Sequence, residues 1–158
     1  GIADLLHYQN EGLAVGLGTD GCSSSNDLDM WMVMRMAAHM IAHLHTPADV
    51  LPSRIVRAAT IDGARAIGVD HLVGSIEIGK RADLIAIDLT ALHLTPIHNV
   101  AALLVFAAGR SDVCDVWVDG KRIVTSRKLN TVNESDLRNR VNQRVKVLEP
   151  LKGVKSAL

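Results

Sequence analysis

Between Gly12 and Gly18 the chain reads Leu13-Ala-Val-Gly-Leu17, five residues without a polar side chain and without alternation, the pattern of a short strand buried on both faces. Before it, Ile2, Leu5, Leu6 and Gln9 fall at helical spacing, with Gly12 as a stop. After it, Gly21 to Asn26 is a polar loop, and Asn26 or Asp27 is placed to cap a helix over residues 28–44. That helix is apolar on nearly every side and holds all five methionines, so most of it is expected to be buried. Its one polar stripe is Arg35, His39 and His43, spaced by four, which predicts a solvent face or a satisfied histidine pair at a packing interface.

Thr46-Pro-Ala-Asp49 carries the next start signal: a Thr cap, Pro in the first helical position and an acid three residues after the cap. Residues 53–59 and 61–67 read as two short helices, with Thr60 as a cap and Gly68 as a terminator. The period then changes. Gly74-Ser-Ile-Glu-Ile78 and Ala82-Asp-Leu-Ile-Ala-Ile87 flank Gly79-Lys80-Arg81 as strand, turn and strand. Residues 99–108 are helical in pattern. Val113 to Val118 and Arg122 to Val124 flank Asp119-Gly120, the strongest short-range hairpin signal in the chain. A last amphipathic helix puts Leu137, Val141, Val145 and Leu148 on one face.

These patterns predict an α/β protein in three parts: residues 1–72, 73–128 and 129–158. The first part is incomplete as a domain, because a lone buried strand cannot satisfy both edges or cover both faces. That incompleteness, with the absence of an initiating Met, predicts either a missing N-terminal segment or a homo-oligomer that covers the apolar surface.

The 158 residues include 48% hydrophobic side chains, enough for a core and against disorder. Seventeen basic residues balance seventeen acidic ones, and aromatic residues make up 3% of the chain, so neither a field nor a stacking platform favours nucleic acid. No apolar run reaches the roughly 20 residues of a membrane span. Cys22 and Cys114 are two distant thiols, which reads as reduced cytoplasmic cysteine rather than a disulfide scaffold.

Candidate chemistry concentrates after the apolar run. Gly16, Gly18 and Gly21 spell G-x-G-x-x-G, but five residues separate them from the next helix and no acid stands about 20 residues on to hold a ribose. More weight falls on Asp20, a carboxylate two residues beyond a glycine-rich strand end, where parallel sheets and barrels place ligand-binding groups. His43-Leu-His45 and His39-Met-Ile-Ala-His43 imitate metal motifs. The first lies at a helix end and the second lacks the adjacent Glu.

Gly16-Leu-Gly-Thr-Asp-Gly21 followed by Ser24-Ser-Asn-Asp-Leu-Asp-Met30 resembles the final barrel strand and following loop of the amidohydrolase superfamily, in its chlorohydrolase and adenosine-type deaminase branch. Ala58-Ala-Thr-Ile-Asp-Gly-Ala-Arg-Ala-Ile-Gly68, Gly74-Ser-Ile-Glu-Ile-Gly-Lys-Arg-Ala-Asp-Leu-Ile-Ala-Ile-Asp88 and Val116-Trp-Val-Asp-Gly-Lys-Arg-Ile-Val124 resemble later segments of the same family, in the same order. The resemblance implies the C-terminal fragment of a TIM-like (β/α)8 barrel together with the C-terminal strands of a small β-sandwich domain. It implies that Asp20 binds the catalytic metal, zinc by first expectation, and takes a proton from its water, so that hydroxide attacks a ring carbon and ammonia leaves. Ser24, Ser25, Asn26 and Trp31 are then candidates for the wall of a pocket around a small heterocyclic substrate. The other ligands, a His-x-His pair and later histidines with a general-acid Glu, lie upstream in that family. The fragment alone is therefore expected to hold no catalytic metal and to be inactive. Removal of chloride from a triazine-like ring, or a catalytically dead oligomerising module, are the alternatives.

Overall fold

The computed structural model describes residues 1–148. Helix α1 (Leu5–Asn10) starts where the Asp4 carboxylate accepts from the His7 amide, and it ends at Gly12, at φ +77°. Residues 13–19 then cross the helical part as a segment with no ladder partner among the described residues. Two backbone bonds, from Leu13 N to Tyr8 O and from Leu17 N to Ala58 O, both at 3.0 Å, tie the segment down. Val15 and Leu17 pack against the core while Leu13 is 57% exposed. The expectation of a strand buried on both faces is thus corrected. An apolar run becomes a strand only where neighbours pair its amides, and here it lies on helices along one side.

Helix α3 (Met30–Leu44) begins two residues later than its pattern predicted. Its cap is Asp29, which accepts from Trp31 N and Met32 N, rather than Asn26 or Asp27. Asn26 instead adopts the left-handed conformation that ends the single turn α2 (Cys22–Ser25). Met34, Ala38 and Ile41 of α3 are buried, whereas Met32 and Met36 are exposed, Met36 by 54%. An all-round apolar helix was expected to be covered; only one side of it is.

The capping box at Thr46 and Asp49 forms as the sequence predicts, on a 3-10 turn over Pro47–Asp49. Helices α4 (Pro52–Ala58) and α5 (Ile61–Ala66) follow. Thr60 stands at the cap of α5 but its hydroxyl donates back to Val56 O, which satisfies α4 instead. Gly68 ends α5 at φ +73°. Ile55, Ala58 and Val105 are fully buried where α4 meets α6 (Val100–Phe106). A second cluster of Leu94, Leu103 and Ala108 adjoins them, and Trp31 touches both.

The sheet is an antiparallel meander in the order β1 (Leu84–Ile87), β2 (Val113–Val118), β3 (Lys121–Thr125) and β4 (Lys128–Leu129). Asp119 and Gly120 both have positive φ, 51° and 75°, the twist a two-residue hairpin needs to match its strands. The tip is also pinned, with Asp119 N donating to Asp83 and Gly120 N to Ala82 O. Residues 74–78, expected as a strand, form none. Ile78 is fully exposed, and no ladder joins that segment to a described strand. Helix α7 (Glu134–Leu148) carries an exposed stripe of Leu137, Val141 and Val145. No helix among the described residues is long and apolar enough to cross a membrane.

Candidate functional site

Residues 13–19 lead directly to Asp20, which sits at φ +58°, a left-handed conformation that side chains other than glycine avoid. The turn fixes the carboxylate from two sides. Oδ1 accepts from Gly21 N at 2.7 Å and Oδ2 from Ser24 Oγ at 2.6 Å. These bonds, the Ser24 hydroxyl first, hold the Asp20 carboxyl below the usual carboxylate range. Each oxygen keeps a second lone pair, so the group remains able to ligate a cation. Thr19 Oγ1 donates to Asp20 O and steadies the same peptide.

The neighbouring candidates have distinct local roles. Ser24 orients Asp20. Ser25 Oγ donates to Asp27 O at 2.6 Å, and Asn26 closes α2. Trp31 is half-buried between the two clusters, and its indole Nε1 has no partner among the described residues. Sequence reasoning named these residues but not the bond between Ser24 and Asp20. The available signal was a serine in the turn that opens directly after an aspartate, the geometry that lets an acid accept from the start of a helix.

The glycines have packing roles of unequal weight. A Cβ on Gly16 would lie 2.9 Å from Gly63 Cα, so the segment touches α5 through two bare backbones. A Cβ on Gly18 would meet nothing within 4 Å. Gly21 precedes one helical turn of four residues, not the long helix that a dinucleotide cradle needs. Both flanks of the segment are open. A cavity of about 780 Å³ lies toward Gly63, Val73 and Leu84, and one of about 410 Å³ lies toward Tyr8, Met32 and Met36.

The histidines do not converge. His39 and His43 are exposed, whereas Arg35, on the same stripe, turns inward and donates from Nη2 to Ala108 O at 2.9 Å. His45 Nε2 lies 2.8 Å from Asp4, and His93 Nε2 lies 3.1 Å from the buried Asp112. Cys22 and Cys114 are both free. Among the described residues, no group of three or more His, Cys, Asp or Glu side chains could hold a metal ion. Asp20 by itself is one carboxylate, short of the three protein ligands and open position that a catalytic zinc site takes.

The profile of the amidohydrolase family matches residues 1–123. The 5-methylthioadenosine/S-adenosylhomocysteine deaminase 1 of Syntrophus aciditrophicus is 40% identical over 144 residues, which are 90% of this chain and 32% of that protein. An S-triazine hydrolase of Gordonia rubripertincta is 38% identical over 131 residues, 82% of this chain and 28% of that protein. Among solved structures, an adenosine deaminase from Xanthomonas campestris with bound zinc superposes with a TM-score of 0.89 at 37% identity, over 95% of this chain and 34% of its own. The chain spans about a third of the length of the curated relatives it matches.

Proposed function

Since the chain belongs to the amidohydrolase family, in its branch of deaminases and chlorohydrolases, we propose that it is the C-terminal third of a metal-dependent hydrolase of carbon–nitrogen bonds outside peptides. The reaction is the hydrolytic deamination of a purine-like heterocycle. Water adds to the ring carbon that bears the amino group, and ammonia leaves. In this reading residues 1–72 carry the last strand of a (β/α)8 barrel with its following helices, and residues 73–128 supply part of a small β-sandwich. The open flanks of residues 13–19 support that placement: two cavities and a row of exposed apolar side chains lie where neighbouring barrel strands would pair and pack.

The observation that carries the reading is the held carboxylate of Asp20 at the end of that segment. Asp20 would be one ligand of a divalent metal, zinc first, and would accept a proton from the attacking water. A zinc bound there supplies Lewis acidity and lowers the pKa of water toward 7. Ser24 aims the carboxylate, and Ser25, Asn26 and Trp31 form part of the wall around the substrate ring. The other ligands and the general acid come from the part of the protein upstream of this chain.

A second reading, hydrolysis of a substituent on a triazine-like ring, draws on the 38% identity with the S-triazine hydrolase. Both readings are tested on the full-length protein by assaying ammonia release from adenosine, 5-methylthioadenosine and S-adenosylhomocysteine against chloride release from a chlorotriazine. Ammonia release that depends on zinc and is lost in Asp20→Ala supports the first. Chloride release alone replaces it with the second. A folded, zinc-loaded protein with neither activity overturns both.

A further inference from the structure

The start of the 13–19 segment, at the other end from Asp20, borders a separate cavity of about 260 Å³ where three arginines meet: Arg54 and Arg57 of α4 and Arg65 of α5. Asp62 is shared between two of them, its Oδ1 accepting from Arg57 Nη2 at 2.7 Å and from Arg65 Nη1 at 3.0 Å. Arg65 Nε also lies 3.6 Å from Asp70. Arg54 has no acidic partner among the described residues. Its Nη1 donates to the neutral Asn10 amide at 2.8 Å. Three positive charges thus stand against two negative ones, and a guanidinium offers five donors, most of which have no acceptor in this cluster.

We propose that this cavity is a binding site for a small molecule through a singly charged oxyanion group, a carboxylate or a phosphoryl group. The geometry suits such a group. The arginines come from two helices and line one cavity, so a single anion there could meet more than one planar fork, the arrangement in which arginine outperforms lysine. Gly12 and Leu13 also line the cavity, and glycine at φ +77° leaves the backbone there bare of a side chain. Asn10 accepts from Arg54 without neutralising it, and Arg57 and Arg65 are half-exposed. The surplus of one positive charge matches one bound anion and is independent of the chemistry assigned to Asp20.

The test is calorimetric titration of the full-length protein with inorganic phosphate and, separately, with acetate, both at fixed ionic strength made up with chloride. Saturable binding of either anion is expected. Phosphate favoured over acetate identifies a phosphoryl ligand, and the reverse identifies a carboxylate. Arg54→Gln, an exposed change with one neutral partner, should weaken that binding about ten-fold, the loss of one charge-assisted hydrogen bond. Asp62→Asn should act in the opposite direction and tighten it, because the competing acid is gone. If Asp62 and the arginines only brace the fold, Asp62→Asn cannot tighten anion binding. The proposal is overturned by heats that do not saturate, by equal affinity in wild type and Arg54→Gln, or by weaker binding in an Asp62→Asn variant whose thermal unfolding shows it folded.

Discussion

The chain contains two Asp-Gly pairs whose aspartates share an unusual conformation, φ +58° at Asp20 and φ +51° at Asp119, and the two pairs use it for different ends. At Asp119-Gly120 the backbone matters. Gly120 also takes positive φ, the strands on either side pair with each other, and the Asp119 side chain is 65% exposed. At Asp20-Gly21 the glycine has an ordinary φ of −85°, no strand pairs on either side, and both carboxylate oxygens are engaged. The same dipeptide is a turn where its neighbours pair and a presented carboxylate where they do not. A left-handed aspartate with a hairpin around it is explained by the turn; at Asp20 the same conformation is held by the carboxylate's own bonds to Gly21 N and Ser24 Oγ.

The sharpest way to break this contrast is to remove each carboxylate in the full-length protein. Asp20→Ala should lower kcat by about 10³-fold, within the range for a lost proton acceptor, and reduce bound zinc measured by atomic absorption. Asp119→Ala should leave kcat and zinc unchanged and cost about 1 kcal/mol in denaturant unfolding, from alanine in the left-handed region. Matching losses of activity in both variants would dissolve the distinction. Ser24→Ala comes next in size. Removing the partner that orients Asp20 should weaken zinc binding about 10-fold to 100-fold, with Ser24→Thr retaining most of it. Unchanged zinc affinity in a folded Ser24→Ala protein would mean that the hydroxyl only finishes the turn.

The segment that leads to Asp20 can be probed through its glycines. Gly16→Ala brings a Cβ to 2.9 Å from Gly63 Cα, backbone against backbone, and should destabilise by about 1–3 kcal/mol because neither side can give way. Gly18→Ala meets no atom of this chain within 4 Å. Under the barrel reading a neighbouring strand lies on that side, so in the full-length protein it should cost about as much as Gly16→Ala, and a cost below about 0.5 kcal/mol would count against that reading.

The same contrast explains which elements could be read from the sequence. The Asp119-Gly120 hairpin, the Thr46 capping box and the stops at Gly12 and Gly68 are specified within a few residues, and they formed as predicted. Residues 13–17 and 74–78 were apolar or alternating enough to be strands, but a strand also needs a partner for its amides, and neither segment pairs with a strand among the described residues. The burial of α3 failed for a related reason: its apolar pattern shows that it is able to be covered on all sides, not what covers it. At the site, Asp20 was legible through its place after the glycines. Its bond from Ser24 and its left-handed backbone were not, since both depend on how the chain turns after Gly18. Arg35 was misread as part of a polar stripe because its partner, the Ala108 carbonyl, is 73 residues away.

The smallest effect lies in the sheet and concerns a carboxylate with only a structural role. Asp88, just after β1, accepts from the Thr90 hydroxyl and amide and from Arg127 Nη2 at 3.0 Å, and these bonds lower its pKa to about 2. A carboxyl whose folded pKa is depressed stabilises the fold at pH values above its ordinary 3.8, and that contribution fades as pH falls from about 4 to about 2. The difference in unfolding free energy between wild type and Asp88→Asn should therefore be constant from pH 5 to 7 and shrink through that acid window. Zinc content and kcat at neutral pH should be the same in both. A difference that is flat down to pH 2 would show that Asp88 keeps its partners equally well when protonated. A loss of zinc in Asp88→Asn would tie the sheet to the site, and the separation between a structural half and a chemical half of this chain would fail.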